Sequence, residues 1–121
     1  MTVPIALTCG EPGGVGPELA VAARAALPDL PLVWIGDPRH LPAGTALQLI
    51  DAPAQATGVP AGVLPVLPHR FAAENPAGVL VPENARGVIE VIERAVALAQ
   101  SGAVSAICTA PTSRPPGLLR M

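Results

Sequence analysis

Pro4-Ile5-Ala6-Leu7-Thr8-Cys9-Gly10-Glu11-Pro12-Gly13-Gly14-Val15-Gly16-Pro17-Glu18-Leu19 passes from an apolar, strand-like run through a loop with four glycines into an abrupt helix start. Proline in a first helical turn gives up only an amide that would be unpaired anyway, so Gly16-Pro17-Glu18 reads as the start of a helix. Glycine permits positive φ and close approach to the backbone. A strand-loop-helix of this kind aims amides and the positive end of a helix dipole into a cleft, a setting that suits anions. Gly10, Glu11, Pro12, Gly13, Gly14, Gly16 and Glu18 are therefore candidates for a substrate or cofactor loop. The competing reading is a tight connection and nothing more. Two common phosphate motifs are excluded: in G-x-G-x-x-G terms Gly14-Val15-Gly16 is followed by Leu19, and a P-loop needs a lysine that the chain does not contain. Glu18 already complements the dipole and would repel a phosphate.

Around this segment the pattern is that of alternating strands and helices. Residues 3–9 read as a strand, Pro17 to Leu27 as a mostly buried helix with Ala and Val on nearly every face, and Pro28-Asp29-Leu30-Pro31 as a stop and turn. Leu32-Val33-Trp34-Ile35-Gly36 is a continuous apolar strand, which completes a βαβ unit and predicts a parallel sheet. Residues 38–80 hold two short strand-like runs, Leu47 to Ile50 and Val63 to Leu67, among prolines and glycines. Gly78 to Pro82 reads as a loop or short extended piece. Residues 84–100 form the clearest helix, with Val88, Ile89, Ile92, Ala95, Val96 and Ala99 as its apolar stripe and a Glu90–Arg94 i,i+4 pair on the other side. Val104 to Cys108 follows as a strand that delivers Thr109-Ala110-Pro111 to its carboxyl end. The expected fold is α/β, a partial, open, mostly parallel sheet with flanking helices, and ligands of such sheets bind beyond the carboxyl ends of the strands.

Composition supports this. Among 121 residues, half apolar, there are one Trp, one Phe and no Tyr, so the core is built from Ala, Val, Leu and Ile, as in buried parallel strands. Sixteen prolines exclude a helical bundle. A net charge of −2 with scattered charges offers no face for nucleic acid. No run reaches membrane-spanning length and no signal peptide is evident. The expectation is a cytoplasmic protein with neither nucleic-acid nor membrane partners. Two distant cysteines, Cys9 and Cys108, imply no disulfide framework and read as buried, inert thiols at strand ends. His40 and His69 have no second ligand at metal spacing and read as surface or loop histidines. Asp37 stands where a nucleotide fold places its ribose-binding acid, but Gly36-Asp37-Pro38 also reads as a turn whose aspartate receives backbone amides.

Two segments resemble a known family. Thr8 to Glu18 is similar to the T-x-G-[DE]-P-[AG]-G-[IV]-G-P-E signature of the 4-hydroxythreonine-4-phosphate dehydrogenase family, and Glu83-Asn84 through Arg114 resembles that family's helix followed by its A-[IL]-x-T-[AG]-P-[IVT]-x-K strand and turn. Val33 to Pro38 fits the family's second strand. The resemblance implies the N-terminal portion of a larger two-domain dehydrogenase and adds Thr109, Pro111 and Arg114 to the candidate site residues. It also implies NAD(P), a divalent metal (Zn, Mg or Co), a small phosphorylated hydroxy-acid substrate, a homodimer and a role in pyridoxal 5′-phosphate synthesis. Members oxidise a secondary alcohol to a β-keto acid that loses carbon dioxide, with the metal as Lewis acid. The family's metal-binding histidines and Gly-His-Thr loop have no counterpart here. Arg114 replaces a lysine, and Pro115-Pro116-Gly117 replaces a helix. Residues 1–114 are thus expected to be the family-like segment and 115–121 a divergent tail, as in a truncated or frameshifted product or an expression boundary. The isolated chain is expected to lack activity. Three alternatives stand beside this: a stand-alone phosphate- or nucleotide-binding module, a related four-carbon sugar-acid phosphate dehydrogenase, and a structural fragment with exposed apolar faces.

Overall fold

Continuous rather than alternating apolar runs are the signature of strands covered on both faces, and the computed structural model, which describes residues 3–76 and 78–110, buries the runs 32–36 and 64–67 in this way. Strands β1 (Ile5–Thr8), β2 (Leu32–Gly36), β3 (Leu47–Leu49), β4 (Leu64–Pro68) and β5 (Ala106–Cys108) form one sheet in the order β3-β4-β2-β1-β5. Every pairing is parallel. Helix α1 (Gly16–Ala26) connects β1 to β2, and α2 (Ala85–Gln100) precedes β5. The two crossovers run in opposite directions across the sheet, so their right-handedness places α1 and α2 on opposite faces. The expected α/β architecture is present. The tail 115–121, with Pro111 and Arg114, lies outside the described residues.

Residues 38–80, ambiguous in the sequence, contribute two strands in register, Leu47↔Leu64 and Leu49↔Val66. The ambiguity has a physical source. Pro65 stands inside β4 opposite Gln48, where proline removes a ladder donor and ordinarily argues against an internal strand.

The core centres on Trp34, Ile35, Leu64 and Phe71. Phe71, from the loop after β4, is seated against Gly87 of α2, where a Cβ would lie 2.5 Å from its ring. This contact fixes the rotation of α2. Gly87, Val88, Val91 and Ala95 face inward, whereas Ile89 and Val96, expected in the buried stripe, are exposed. The expected Glu90–Arg94 pair gives way as well. Glu90 meets Arg86 at 3.4 Å and His69 at 3.1 Å, while Arg94 donates to the Pro68 carbonyl at 2.8 Å.

Helix α1 is less buried than its Ala/Val composition suggests. Its inward residues are Gly16, Pro17, Ala20 and Arg24, and Leu19 is exposed. Arg24 is buried without a carboxylate. Its guanidinium donates to the carbonyls of Val63 (2.9 Å), Val59 (3.2 Å), Pro60 (3.1 Å) and Pro28 (3.4 Å), and so ties the approach to β4 against the last turn of α1. The partial negative charge of a helix C-terminus adds to this.

Arg24→Leu leaves four carbonyls without this donor, so a loss of about 3 kcal/mol in urea unfolding is expected. Arg24→Lys restores only a minority of it, because an ammonium lacks the planar fork. A change below about 0.5 kcal/mol for the leucine variant would show the network to be energetically idle.

Candidate functional site

From β1 the chain turns toward β2, β4 and β3; from α2 it returns to the other side of β1 as β5. The β1/β5 boundary is thus a topological switch point, the place where open α/β sheets keep their ligands. Beyond the carboxyl ends of these two strands stand the Gly10–Gly16 loop and Thr109. The sequence candidates Gly10, Glu11, Pro12, Gly13, Gly14, Gly16, Glu18 and Thr109 are therefore brought to one rim. Pro111 and Arg114, candidates from the same turn, fall outside the described residues. Thr8 is buried and accepts the Ala110 amide on Oγ1 at 3.3 Å, which couples the ends of β1 and β5.

The four glycines of the loop have different reasons for being glycine. Gly10 has φ 64°, a left-handed conformation that side chains resist. Gly13 and Gly16 are needed for space. A Cβ at Gly13 would lie 2.1 Å from the Val79 carbonyl oxygen, and one at Gly16 would lie 2.2 Å from that of Cys9. Gly14 meets nothing closer than 3.3 Å and is exposed. The molecule that approaches Gly13 is therefore the chain itself. The Gly78 amide also donates to the Gly13 carbonyl at 2.8 Å. Helix α1 begins with Gly16 and Pro17 in its first turn and has no side-chain cap at Val15.

Two asparagines missed by the sequence reading hold this contact. Asn75 donates to the carbonyls of Val79 (2.7 Å) and Pro76 (3.0 Å). Its Oδ1 accepts from Asn84 Nδ2 at 3.1 Å, and Asn84 Oδ1 accepts the Ala73 amide at 2.9 Å. Both asparagines are buried. An asparagine just before a helix suggests an N-cap. Asn84 makes no such bond and spends its side chain on the loop instead. Between the glycine loop and residues 38–43 lies a cavity of about 260 Å³, lined among others by Pro12, Gly14, Glu18, Arg39, His40 and Asn75.

The end of β2 carries a second buried polar group. Asp37 accepts the amides of Arg39 (3.0 Å) and Phe71 (2.9 Å), and forms a two-pronged pair with the Arg39 guanidinium (2.9 and 3.2 Å). Arg39 also donates to the Phe71 carbonyl at 2.8 Å. This is the turn role, in which the carboxylate organises backbone. Burial alone would raise the Asp37 pKa, but the Arg39 side chain and the two amides outweigh it and bring it down to about 2. His40 is buried rather than at the surface, because it closes the turn Pro38–His40 beneath Phe71. Its Nε2 lies 2.8 Å from the Ala73 carbonyl, which can only accept, and the buried Nδ1 has no partner among the described residues. His69 Nε2 contacts Glu90, whose carboxyl is held below its usual range chiefly by that hydrogen bond.

Of the cysteines, Cys9 is buried, and burial pushes its thiol up to about 12. Cys108 is exposed, contrary to expectation, since β5 is the last strand and nothing among the described residues covers it. Among the described residues no group of three or more His, Cys, Asp and Glu could hold a metal ion. Nor is any helix there long and apolar enough to cross a membrane.

No protein-family model matches the chain. It is 54% identical over 111 residues to a 4-hydroxythreonine-4-phosphate dehydrogenase of Roseobacter denitrificans, covering 91% of this chain and 34% of that one. A protein of the same name from Paracoccus denitrificans is 55% identical over 111 residues, with 92% and 33% covered. Among solved structures, the 4-hydroxythreonine-4-phosphate dehydrogenase of Klebsiella pneumoniae superposes with a TM-score of 0.81 at 32% identity, over 93% of this chain and 38% of that one. The one from Burkholderia phymatum gives 0.80 at 28% identity, over 93% and 37%. The chain spans about a third of the length of the curated relatives it matches. Sequence and fold both correspond to their N-terminal part.

Gly13→Ala and Gly16→Ala are each expected to cost about 1–3 kcal/mol in urea unfolding, as overpacking does, while Gly14→Ala stays within about 0.5 kcal/mol. Equal effects at all three positions would contradict the assigned contacts. Asp37 supplies the acid response. A folded-state pKa of about 2 against an ordinary 3.8 means that its stabilisation is fully present above pH 4 and lost as pH falls toward 2. Asp37→Asn should remove about 2 kcal/mol of that acid-dependent stability, visible as a flatter stability profile between pH 5 and 2.

Proposed function

We infer that this chain is the N-terminal part of a 4-hydroxythreonine-4-phosphate dehydrogenase. The observation that carries this is the long Thr8–Glu18 signature, set within identity above one half across nine-tenths of the chain. The complete enzyme, on this reading, is a cytoplasmic homodimer serving pyridoxal 5′-phosphate synthesis. It oxidises 4-phosphohydroxy-L-threonine with NAD(P), and the product loses carbon dioxide. A divalent metal, Zn, Mg or Co, would supply Lewis-acid polarisation of the reacting oxygen.

The described residues do not fit that metal, since none of their His, Cys, Asp and Glu side chains cluster to hold one. They also do not form a dinucleotide cradle, because the fingerprint fails and the chain's own carbonyls fill the space at Gly13 and Gly16. What this part contributes is a wall of the cleft. Gly13, Gly16 and the two asparagines fix the path of the loop, while Gly14, Glu18 and Thr109 are exposed at the rim and available to substrate or cofactor. Catalysis then depends on groups supplied from the rest of the enzyme.

The test is an exchange. The matching third of the Paracoccus denitrificans relative is replaced by this chain, and turnover of 4-phosphohydroxy-L-threonine is followed through NADH absorbance with divalent metal present. The exchanged enzyme should turn over, and the 121-residue chain alone should not. A folded but inactive exchanged enzyme, or robust turnover by the chain alone, would contradict the reading.

A further inference from the structure

The segment Phe71–Asn75, in the loop after β4, belongs to no regular element, yet it is held from several directions. From the end of β2, Asp37 accepts the Phe71 amide at 2.9 Å and Arg39 donates to the Phe71 carbonyl at 2.8 Å. From the same turn, His40 Nε2 donates to the Ala73 carbonyl at 2.8 Å. At the start of α2, Asn84 accepts the Ala73 amide at 2.9 Å and Gly87 receives the Phe71 ring. Asn75 carries this order into the glycine loop. It accepts from Asn84 at 3.1 Å and donates at 2.7 Å to the Val79 carbonyl, the group that fills the space beside Gly13.

Asn84 is fully buried and stands directly before α2, but its two bonds go to Asn75 and Ala73 and none caps the helix. A buried amide satisfied on both atoms rigidifies what it joins, and removing one partner leaves the other unpaired. The cavity of about 260 Å³ between the glycine loop and residues 38–43 is lined by neither Asn84 nor Asp37. Both hold residues that do line it. Asn84 holds Asn75 and Asp37 holds Arg39, while the loop supplies Gly14 and Glu18 to the same cavity.

We propose that Asn84 and Asp37 are positioning residues of the dehydrogenase, acting through Phe71–Asn75 to set the shape of this cavity and the place of the glycine loop beside it. The proposal rests on the functional reading above for the reaction it serves. Asn84 and Asp37 grip one segment without a hydrogen bond to each other, so their effects are coupled. Once one grip is released, releasing the other changes less.

The Gly78 amide, which donates to the Gly13 carbonyl at 2.8 Å, reports on the loop contact in the 121-residue chain. Asn84→Asp keeps the acceptor for the Ala73 amide and removes the donor to Asn75. If Asn75 turns its amide to meet the new carboxylate, it gives up Val79, so the contact is lost either way. Asn75→Asp keeps the acceptor for Asn84 and removes the donor to Val79. Each variant, and Asp37→Asn, should speed hydrogen exchange at Gly78 by about tenfold more than at Trp34 and Ile35 of β2. Asp37→Asn combined with Asn84→Asp should fall short of the product of the two single effects.

In the exchanged enzyme, Asn84→Asp should raise the KM for 4-phosphohydroxy-L-threonine or for NAD by about tenfold, with kcat within about threefold. A merely structural role would reduce the amount of active enzyme, and so kcat, and leave both KM values in place. Hydrogen exchange that quickens equally at Gly78 and in β2, multiplicative effects in the double variant, or unchanged KM values in an active exchanged enzyme overturns the proposal. Failure of the functional reading looks different. There the exchanged enzyme folds without turning over, and the Gly78 measurements on the chain still decide whether Asn84 and Asp37 hold the loop.

Discussion

Much of the rim depends on how closely the backbone approaches itself at Gly13 and Gly16. At Gly16 the first turn of α1 comes so near the Cys9 carbonyl that no side chain fits between them. This closeness sets where α1 leaves β1. At Gly13 the same absence of a side chain admits the Val79 carbonyl, held in place by Asn75 and, through it, by Asn84 at the start of α2. Two segments far apart in sequence are therefore locked to one loop. A single constraint, backbone against backbone without Cβ, aligns both helices with the carboxyl rim of the sheet.

The glycine pattern alone left two readings open, a cradle for an anion or a tight connection. The structure gives the glycines separate duties, conformation at Gly10 and space at Gly13 and Gly16. Gly14, which has neither duty, is the one exposed to solvent. The dipole end of α1 is likewise left with Glu18 in its first turn and no cap, an arrangement that complements the helix without inviting a phosphate.

Local chemistry was legible where it was local. The helix start at Pro17, the turn at Asp37 and the apolar strand through Trp34 follow from residue type and spacing. What escaped depended on partners distant in sequence. Gly87 accepting the Phe71 ring turned α2 so that Ile89 and Val96 face out, and no periodicity in the helix itself announces that. His40 is buried because Phe71 covers it. Asn75 lies in loop-like sequence and Asn84 at the start of the expected helix, and their pairing is visible only once the loop folds back. Cys108 was read as a buried thiol at a strand end, and it is exposed because β5 is covered by nothing among the described residues on that side. At the rim, the glycine spacing marked the strand-loop-helix but could not say which glycines serve the fold and which are free.

The central claim is that the glycine loop of this chain is closed by its own backbone and works as a wall of a larger enzyme's cleft rather than as a ligand cradle in its own right. Titration calorimetry of the folded chain with NAD, ADP and inorganic phosphate tests this most directly. The account predicts no binding tighter than about 1 mM for any of the three, the level of roughly −4 kcal/mol. Micromolar binding of one of them that is lost on Gly14→Val, a change at the exposed position of the loop, would contradict it.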